Sequence, residues 1–204
     1  MPDETTAAAD PPSLTAKGEA TRRRILEAAV AEFATHGIAG ARVDRVAAAA
    51  HTNKAQLYAY FGSKDGLFDA VFLDRLHLIL DTAPIDADDL ADWAVRLYDD
   101  YLERPELVRL AAWHRLERRP RGALVDAGHH LEDAKVRAIA AAQEAGTVRP
   151  GDPFDVMALV IAMSTAWSPT SGVWASYADE AADVHAARRA LLREMVTAAV
   201  APPR

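Results

Sequence analysis

Apolar residues recur with a helical period along almost the whole chain. Ile25, Ala29 and Phe33 stand four residues apart, which places them on one face of a helix. No segment shows the strict alternation of apolar and polar residues that is typical of a half-buried strand. The pattern predicts an all-α protein of about nine helices, with a division near residue 80.

Capping and helix-breaking residues mark the predicted helix ends in the first part of the chain. Gly37 is placed to end the first helix as a left-handed C-cap. A short second helix is predicted over about residues 42–50. Asn53 and Ser63 are placed to cap the third and fourth helices, and the fourth is predicted to end near residue 82.

Similar signals mark the helices downstream. Pro105 stands at a first-turn position, and a further helix is predicted over about residues 122–145. Asp152 and Pro153 have the residue types of an N-cap followed by a first helical residue. The last helix is predicted from about residue 183. The second part of the chain is therefore also expected to be a helical domain.

The second and third helices are short, lie about three residues apart, and predict a helix-turn-helix over about residues 41–60. Val46, Ala47, Leu57 and Phe61 are spaced to face inward. The start of the third helix enters the DNA major groove in this class of motif. Four polar or aromatic residues are predicted to face outward there: Asn53, Lys54, Gln56 and Tyr60.

These side chains suit the recognition of double-stranded DNA. Gln56 has the amide that pairs with adenine through two hydrogen bonds, and Lys54 can contact guanine or phosphate. Tyr58 and Lys64 suit phosphate contacts, which fix the register of a protein on DNA. For each tyrosine, packing against the core is an equally good interpretation.

The charge distribution supports a polyanionic partner. Residues 13–64 carry eight basic and four acidic residues, whereas the formal net charge of the chain is −7. A small basic unit on an acidic body can bind DNA without the whole protein adhering to it. The alternative is that Arg22, Arg23 and Arg24 form a solvated helix face.

Composition excludes several other classes. The chain has no cysteine, so it forms no disulfide and no thiolate metal site. Residues 1–16 are polar and predicted to be a disordered tail, without the features of a signal peptide. Residues 156–178 carry no charge, but their densely apolar part is about a dozen residues, shorter than the roughly 20 that span a bilayer. The sequence thus predicts a cytoplasmic protein without a membrane span.

Four motifs in order resemble the TetR family of transcriptional regulators. They are "ILEAAVAEFATHGI", "VDRVAAAA", "LYAYF" and "SKDGL", with the spacing of that family's N-terminal DNA-binding domain. The resemblance implies such a domain over residues 17–78, with Arg42 and Lys64 on phosphates. There are two departures: His51 stands where the family often has glycine, and "GAR" replaces the usual Ser or Thr cap before the second helix. The implied DNA-facing set is Arg42, Thr52, Asn53, Lys54, Ala55, Gln56, Tyr58, Tyr60 and Lys64.

The resemblance further implies that residues 79–204 dimerise and bind an effector. A homodimer is predicted through about residues 154–176 and 183–200, because their apolar content exceeds the needs of one core. A small, mostly apolar effector would then release a repressor from a roughly palindromic operator. The aromatic residues and His114 are equally consistent with an ordinary core. The predicted effector-binding residues are Trp93, Leu97, Tyr101, Trp113, His114, Met157, Met163 and Trp167.

Two rival functions remain open from the sequence. The protein could bind DNA constitutively, without any effector. It could also be a metal-dependent helical enzyme, since Asp126, His129 and Asp133 share one helix face beside His130. No second helix offers a matching motif, and there is no nucleophile elbow or phosphate-binding glycine loop. The sequence therefore predicts a regulator that is not an enzyme and needs no cofactor or metal.

Overall fold

The computed structural model describes residues 15–82, 84–119 and 133–203, with only the backbone over residues 79–82. Every regular element in these ranges is a helix, and none of them has the length and apolar character needed to cross a bilayer. A π-helical turn, His114–Arg118, continues the sixth helix. The nine α-helices of the described ranges are α1 Ala16–Gly40, α2 Val43–Ala49, α3 Lys54–Phe61, α4 Lys64–Thr82, α5 Leu90–Glu103, α6 Pro105–Trp113, α7 Asp133–Glu144, α8 Pro153–Ser164 and α9 Ala182–Val200.

The capping predictions based on local chemistry are confirmed. The amide of Gln56 donates to Asn53 Oδ1 at 2.8 Å, and the amide of Gly66 donates to Ser63 Oγ at 2.9 Å. Asp152 likewise accepts from the first amides of α8, which begins at Pro153 as predicted. Each cap satisfies backbone donors that a helix start would otherwise leave without partners.

Gly37 does not form the left-handed cap that the sequence predicts. Its φ of 70° is positive, but its ψ of −177° lies far from the left-handed helical region. The backbone thus kinks at Gly37 and resumes a helical path to Gly40. The buried Ile38 packs back on the amino-terminal helices, as expected. The kink brings the end of α1 against residues of α6 that are distant in sequence.

The helices form two hydrophobic clusters. In the amino-terminal cluster, α1 to α4 pack round Phe33 and Phe68, whose rings meet edge to face at 5.2 Å. In the carboxy-terminal cluster, α5, α7, α8 and α9 pack round Trp93 and Met157. Helix α6 touches α1, α4 and α5, and its Leu110 belongs to the amino-terminal cluster. Helix α6 is therefore the element that joins the two halves of the chain.

Candidate nucleic-acid interface

The turn between α2 and α3 has a positive φ at His51, the position where the resembling family often has glycine. His51 has a φ of 50°, a positive value that few side chains other than Asn, Asp and His adopt readily. The amide of Thr52 then donates to the carbonyl of Ala47 at 2.9 Å, which closes the turn. The turn and the Asn53 cap together fix the direction in which α3 leaves α2.

The exposed face of α3 is polar at its start. Lys54, Ala55, Gln56 and Tyr58 are exposed, whereas Leu57 is fully buried in the amino-terminal cluster. The structure therefore brings these four residues of the predicted DNA-facing set onto one accessible surface, with the side chain of Asn53 at its edge.

Tyr60 departs from the predicted orientation. Its ring is partly buried against the amino-terminal cluster and lies 6.1 Å from the ring of Phe61. The core-packing alternative thus describes the body of this side chain. Phe61, predicted to face inward, is also only partly buried, and the Arg22 guanidinium lies 5.7 Å from its ring centroid.

Polar side chains at this surface form a hydrogen bond and an ion pair in the free protein. Thr52 Oγ1 donates to Gln56 Oε1 at 2.6 Å, which orients the amide of Gln56. Lys54 Nζ lies 2.6 Å from Asp44 Oδ1 on α2, and both side chains are more than half exposed. The hydrogen bond from Lys54 holds the pKa of Asp44 below its ordinary value. Asp44 is therefore ionised at neutral pH.

Glu32 of α1 supports the start of α2 from below. Its Oε1 accepts from the amide of Arg42 at 2.7 Å, and its carboxylate also pairs with the Arg45 side chain. Burial raises the pKa of Glu32, but the hydrogen bonds from Arg45 and from the Arg42 amide outweigh burial and hold it below its ordinary value. Arg42 itself has no side-chain cap and remains exposed. Glu32 thus holds the amide of the N-cap residue Arg42, while the Ser or Thr cap that "GAR" lacks has no side-chain replacement.

Only part of the hydrogen-bonding capacity of the Lys64 ammonium group is available for a phosphate contact. Its Nζ donates to the carbonyl of Ala39 at 3.0 Å and to that of Ala41 at 3.4 Å. An ammonium group has three protons, so one remains for a phosphate. Lys64 therefore has a structural role beside its predicted phosphate contact.

The predicted effector-binding residues are divided between the two clusters. Trp93, Leu97, Tyr101 and Met157 are buried in the carboxy-terminal cluster, with Met163 and Trp167 packed against it. Burial raises the pKa of Tyr101 to about 12, so its phenol stays protonated.

Trp113 and His114 lie elsewhere. Trp113 Nε1 donates to the carbonyl of Ala34 on α1 at 3.3 Å, and the ring of His114 stacks on Phe72 at 4.7 Å. The structure does not gather Trp93 and Trp113 round one site. Trp113 instead lines a cleft of about 440 Å³ between α1, α6 and residues 169–170.

The residues of the rival metal site fall mostly outside the described ranges. Asp126, His129 and His130 belong to residues 120–132, and only Asp133, the first residue of α7, is described. Within the described ranges, no group of three or more His, Cys, Asp or Glu side chains could hold a metal ion.

Comparison with known proteins decides the family. Residues 25–71 match the family model of "bacterial regulatory proteins, tetR family", and residues 89–197 match the "Tetracyclin repressor-like, C-terminal domain". The chain belongs to the TetR family. It is therefore a helix-turn-helix transcriptional regulator whose N-terminal domain binds operator DNA, and it is not an enzyme.

Individual TetR relatives agree with this assignment. The chain is 42% identical over 152 residues to the HTH-type transcriptional repressor SCO4008 of Streptomyces coelicolor, covering 72% of this chain and 77% of that protein. It is 30% identical over 187 residues to the regulator RutR of Escherichia coli K12, covering 87% of this chain and 82% of RutR. The solved structure of SCO4942 from Streptomyces coelicolor, described as a transcriptional regulator, superposes with a TM-score of 0.76 at 38% identity, over 90% of this chain and 99% of that one.

The sequence alone did not reveal two carboxylates, Glu32 and Glu117, that bind backbone amides of the DNA-binding domain. Glu32 was visible as an acid on the apolar face of α1, because it stands seven residues after Ile25. Glu117 gave no such signal, since its partners are backbone amides 78 and 79 residues away.

Proposed function

We propose that this TetR-family protein is a dimeric repressor that uses the start of α3 to read a roughly palindromic operator. The observation that carries the proposal is the exposed polar surface of Lys54, Gln56 and Tyr58 above a buried Leu57. Such a surface fits the major groove, where amide and ammonium groups meet base edges. The relative SCO4008, named as a repressor, favours repression over activation. We place this action in the cytoplasm, where bacterial DNA lies, and assign DNA binding to residues 17–78.

The remaining members of the DNA-facing set would position the protein on the phosphate backbone. Arg42 is exposed at the start of α2, and Lys64 stands at the start of α4, where free helix amides also favour an anion. Thr52, Asn53 and Ala55 flank the reading residues. Tyr60 would reach DNA only by its hydroxyl, because its ring packs inward.

Gln56→Ala is expected to relax the base preference at one position of each half-site. The change removes the amide that discriminates among bases and leaves the phosphate contacts in place. The measurement is sequencing of DNA fragments selected from a random pool by the purified wild-type and variant proteins. Lys64→Ala is the control: it should weaken all sequences alike and reduce the salt dependence of binding. An unchanged base preference in Gln56→Ala would show that α3 is wrongly oriented in this proposal.

Residues 79–204 are proposed to form the dimer. Several large apolar side chains on α8 and α9 are exposed in the single chain, although inward neighbours such as Val160 and Val196 are fully buried. Exposed apolar surface of this kind marks an interaction site. A twofold pair of such surfaces would place two copies of α3 about 34–36 Å apart, one turn of DNA. The exposed residues are Phe154, Leu159, Val184, Leu191 and Met195.

The effector is proposed to be small and mostly apolar, and its site is proposed to be the cleft beside Trp113. The cleft brings Ala34 and Thr35 of α1 together with Arg109 and Trp113 of α6. An occupant would therefore touch both the DNA-binding domain and the helix that joins it to the body. An effector can shift the operator affinity only if it binds one conformation better than the other.

A compound that releases operator DNA is expected to quench tryptophan fluorescence through Trp113. A library of small aromatic and aliphatic compounds should be screened for loss of operator binding, and each active compound titrated against the free protein. Trp113→Phe should abolish the quenching, whereas the exposed Trp174→Phe should preserve it. Quenching that survives Trp113→Phe would move the site elsewhere, and a library without any releasing compound would favour the constitutive binder.

A further inference from the structure

The carboxylate of Glu117 holds two consecutive backbone amides of the DNA-binding domain. Its Oε1 accepts from the amide of Ile38 at 2.7 Å, and its Oε2 accepts from the amide of Ala39 at 2.6 Å. Glu117 belongs to the π-helical turn after α6, whereas both amides follow the kink at Gly37. Hydrogen bonds to a carboxylate are shorter and stronger than those between neutral groups. We call this arrangement the Glu117 clasp.

The local backbone is shaped to admit the clasp. A Cβ at position 37 would lie 2.5 Å from Glu117 Oε1 and 2.9 Å from an atom of the Trp113 ring, so only glycine allows this approach. The π-helical turn is held on its other side by Arg118, which pairs with Asp65 and Asp69 of α4. Single π-helical turns within α-helices are frequent at functional sites. The turn is therefore anchored to α1 and α4 at once.

The clasp acts on the segment that leads directly into the helix-turn-helix. Glu117 holds the amide of Ala39, and Lys64 holds the carbonyl of the same residue. Three residues later the amide of Arg42 is held by Glu32, and α2 begins at Val43. The amides at the end of α1 are thus held by Glu117, which follows α6, and the amide just before α2 is held by Glu32 of α1.

We propose that Glu117 is a positioning residue for operator binding. It sets the orientation of α2 and α3 relative to the carboxy-terminal helices. Its carboxylate touches no DNA and acts only through the backbone of residues 38–42. In a dimer this orientation decides whether both copies of α3 can enter successive major grooves together. The proposal rests on the proposed dimeric function. It adds the residue through which residues 79–204 would orient the helix-turn-helix.

Glu117→Gln is expected to weaken operator binding about tenfold while the protein stays folded. The glutamine keeps the shape, but it can accept from only one of the two amides, through its Oε1, and its NH₂ group then meets the other backbone N–H as donor against donor. The salt dependence of binding should be unchanged, because no phosphate contact is lost. The control is Glu144→Gln, which removes the same charge from an exposed position at the end of α7.

Two further measurements separate positioning from a role in stability alone. Amide hydrogen exchange should accelerate over residues 38–42 in Glu117→Gln and stay unchanged in the α9 helix. The chain has no cysteine, so Ala59→Cys on the exposed side of α3 can carry a single spin label. The label-to-label distance across the dimer should be narrowly distributed in the protein that retains Glu117 and broadly distributed in the Glu117→Gln variant.

The possible results separate failure of the Glu117 proposal from failure of the proposed dimer. A lower melting temperature with unchanged operator affinity and an unchanged distance distribution would reduce Glu117 to a stabilising contact and overturn the proposal. Equal or tighter operator binding by Glu117→Gln would also overturn it. If the labelled protein with Glu117 shows no distance between labels and sediments as a monomer, the dimeric function fails instead.

Discussion

Leu159→Glu is expected to convert the protein into a monomer and to weaken operator binding by a factor of about a hundred or more. Leu159 is 64% exposed on α8, within the surface proposed to meet a second copy. A carboxylate there would lose its hydration in an interface made largely of apolar side chains. Loss of the dimer removes the gain from binding two linked half-sites, which amounts to a factor of about 10²–10⁴. Sedimentation and operator titration at the same protein concentration measure both effects.

Leu116→Glu is the matched control for this prediction. Leu116 is 66% exposed, so its hydrophobicity and exposure resemble those of Leu159, but it lies in the π-helical turn and lines the cleft beside Trp113, not the exposed face of α8 and α9. It should leave the sedimentation behaviour unchanged. A Leu159→Glu protein that remains dimeric at micromolar concentration, or binds the full operator as tightly as before, would disprove the proposed interface.

Gly37→Ala is expected to lower the free energy of unfolding by about 3 kcal/mol, combining backbone strain with overpacking. The φ of 70° and ψ of −177° are accessible essentially only to glycine. The added Cβ would also collide with Glu117 Oε1 and the Trp113 ring. Thermal unfolding followed by circular dichroism should show a melting temperature roughly 10 °C lower.

Two companion variants separate strain from collision. Gly146→Ala also places a Cβ at a positive φ, 74°, but no atom lies within 4 Å of it, so about 1 kcal/mol is expected. In Gly37→Ala combined with Glu117→Ala, part of the collision is relieved, and the combined loss should be smaller than the sum of the single losses. Strict additivity would mean that Glu117 and residue 37 do not meet as the structure has them.

The starts of three helices could be predicted from the sequence because each capping residue lies close in sequence to the amides that it binds. The caps at Asn53, Ser63 and Asp152 depend on residues two or three positions apart, and all three occur as the sequence predicts. The exposed start of α3 followed from the helical period in the same way. The all-α class and the TetR family were therefore both accessible from the sequence.

Contacts between distant segments were not accessible in this way. The stripe of Leu107, Leu110 and Ala111 indicates burial but does not say which helix covers it. The sequence pattern places α6 in the second domain, whereas Leu110 packs with α1 and α4. Trp113 also packs against α1, through its hydrogen bond to Ala34. The predicted effector-binding residues are therefore divided between the two halves of the chain.

Gly37 shows the same limit at a single residue. A glycine after an apolar stripe is typical of a left-handed cap, and the sequence gives no reason to expect another conformation. The observed φ and ψ become intelligible only when Glu117 and Trp113 are present against that backbone. Residues far downstream in the sequence thus decide the local geometry.

The ion pair between Lys54 and Asp44 has a consequence for how the protein searches a genome. Lys54 has one anionic partner, Asp44, and an ammonium group has three protons, so Lys54 can donate to DNA while it keeps that partner. The carboxylate of Asp44 then cancels part of the attraction between Lys54 and the phosphate backbone, which every DNA sequence offers alike. Contacts with base edges depend on the sequence and are not weakened in the same uniform way. The pair therefore lowers the affinity for unrelated DNA more than the affinity for the operator, so that less of the protein is held on unrelated DNA.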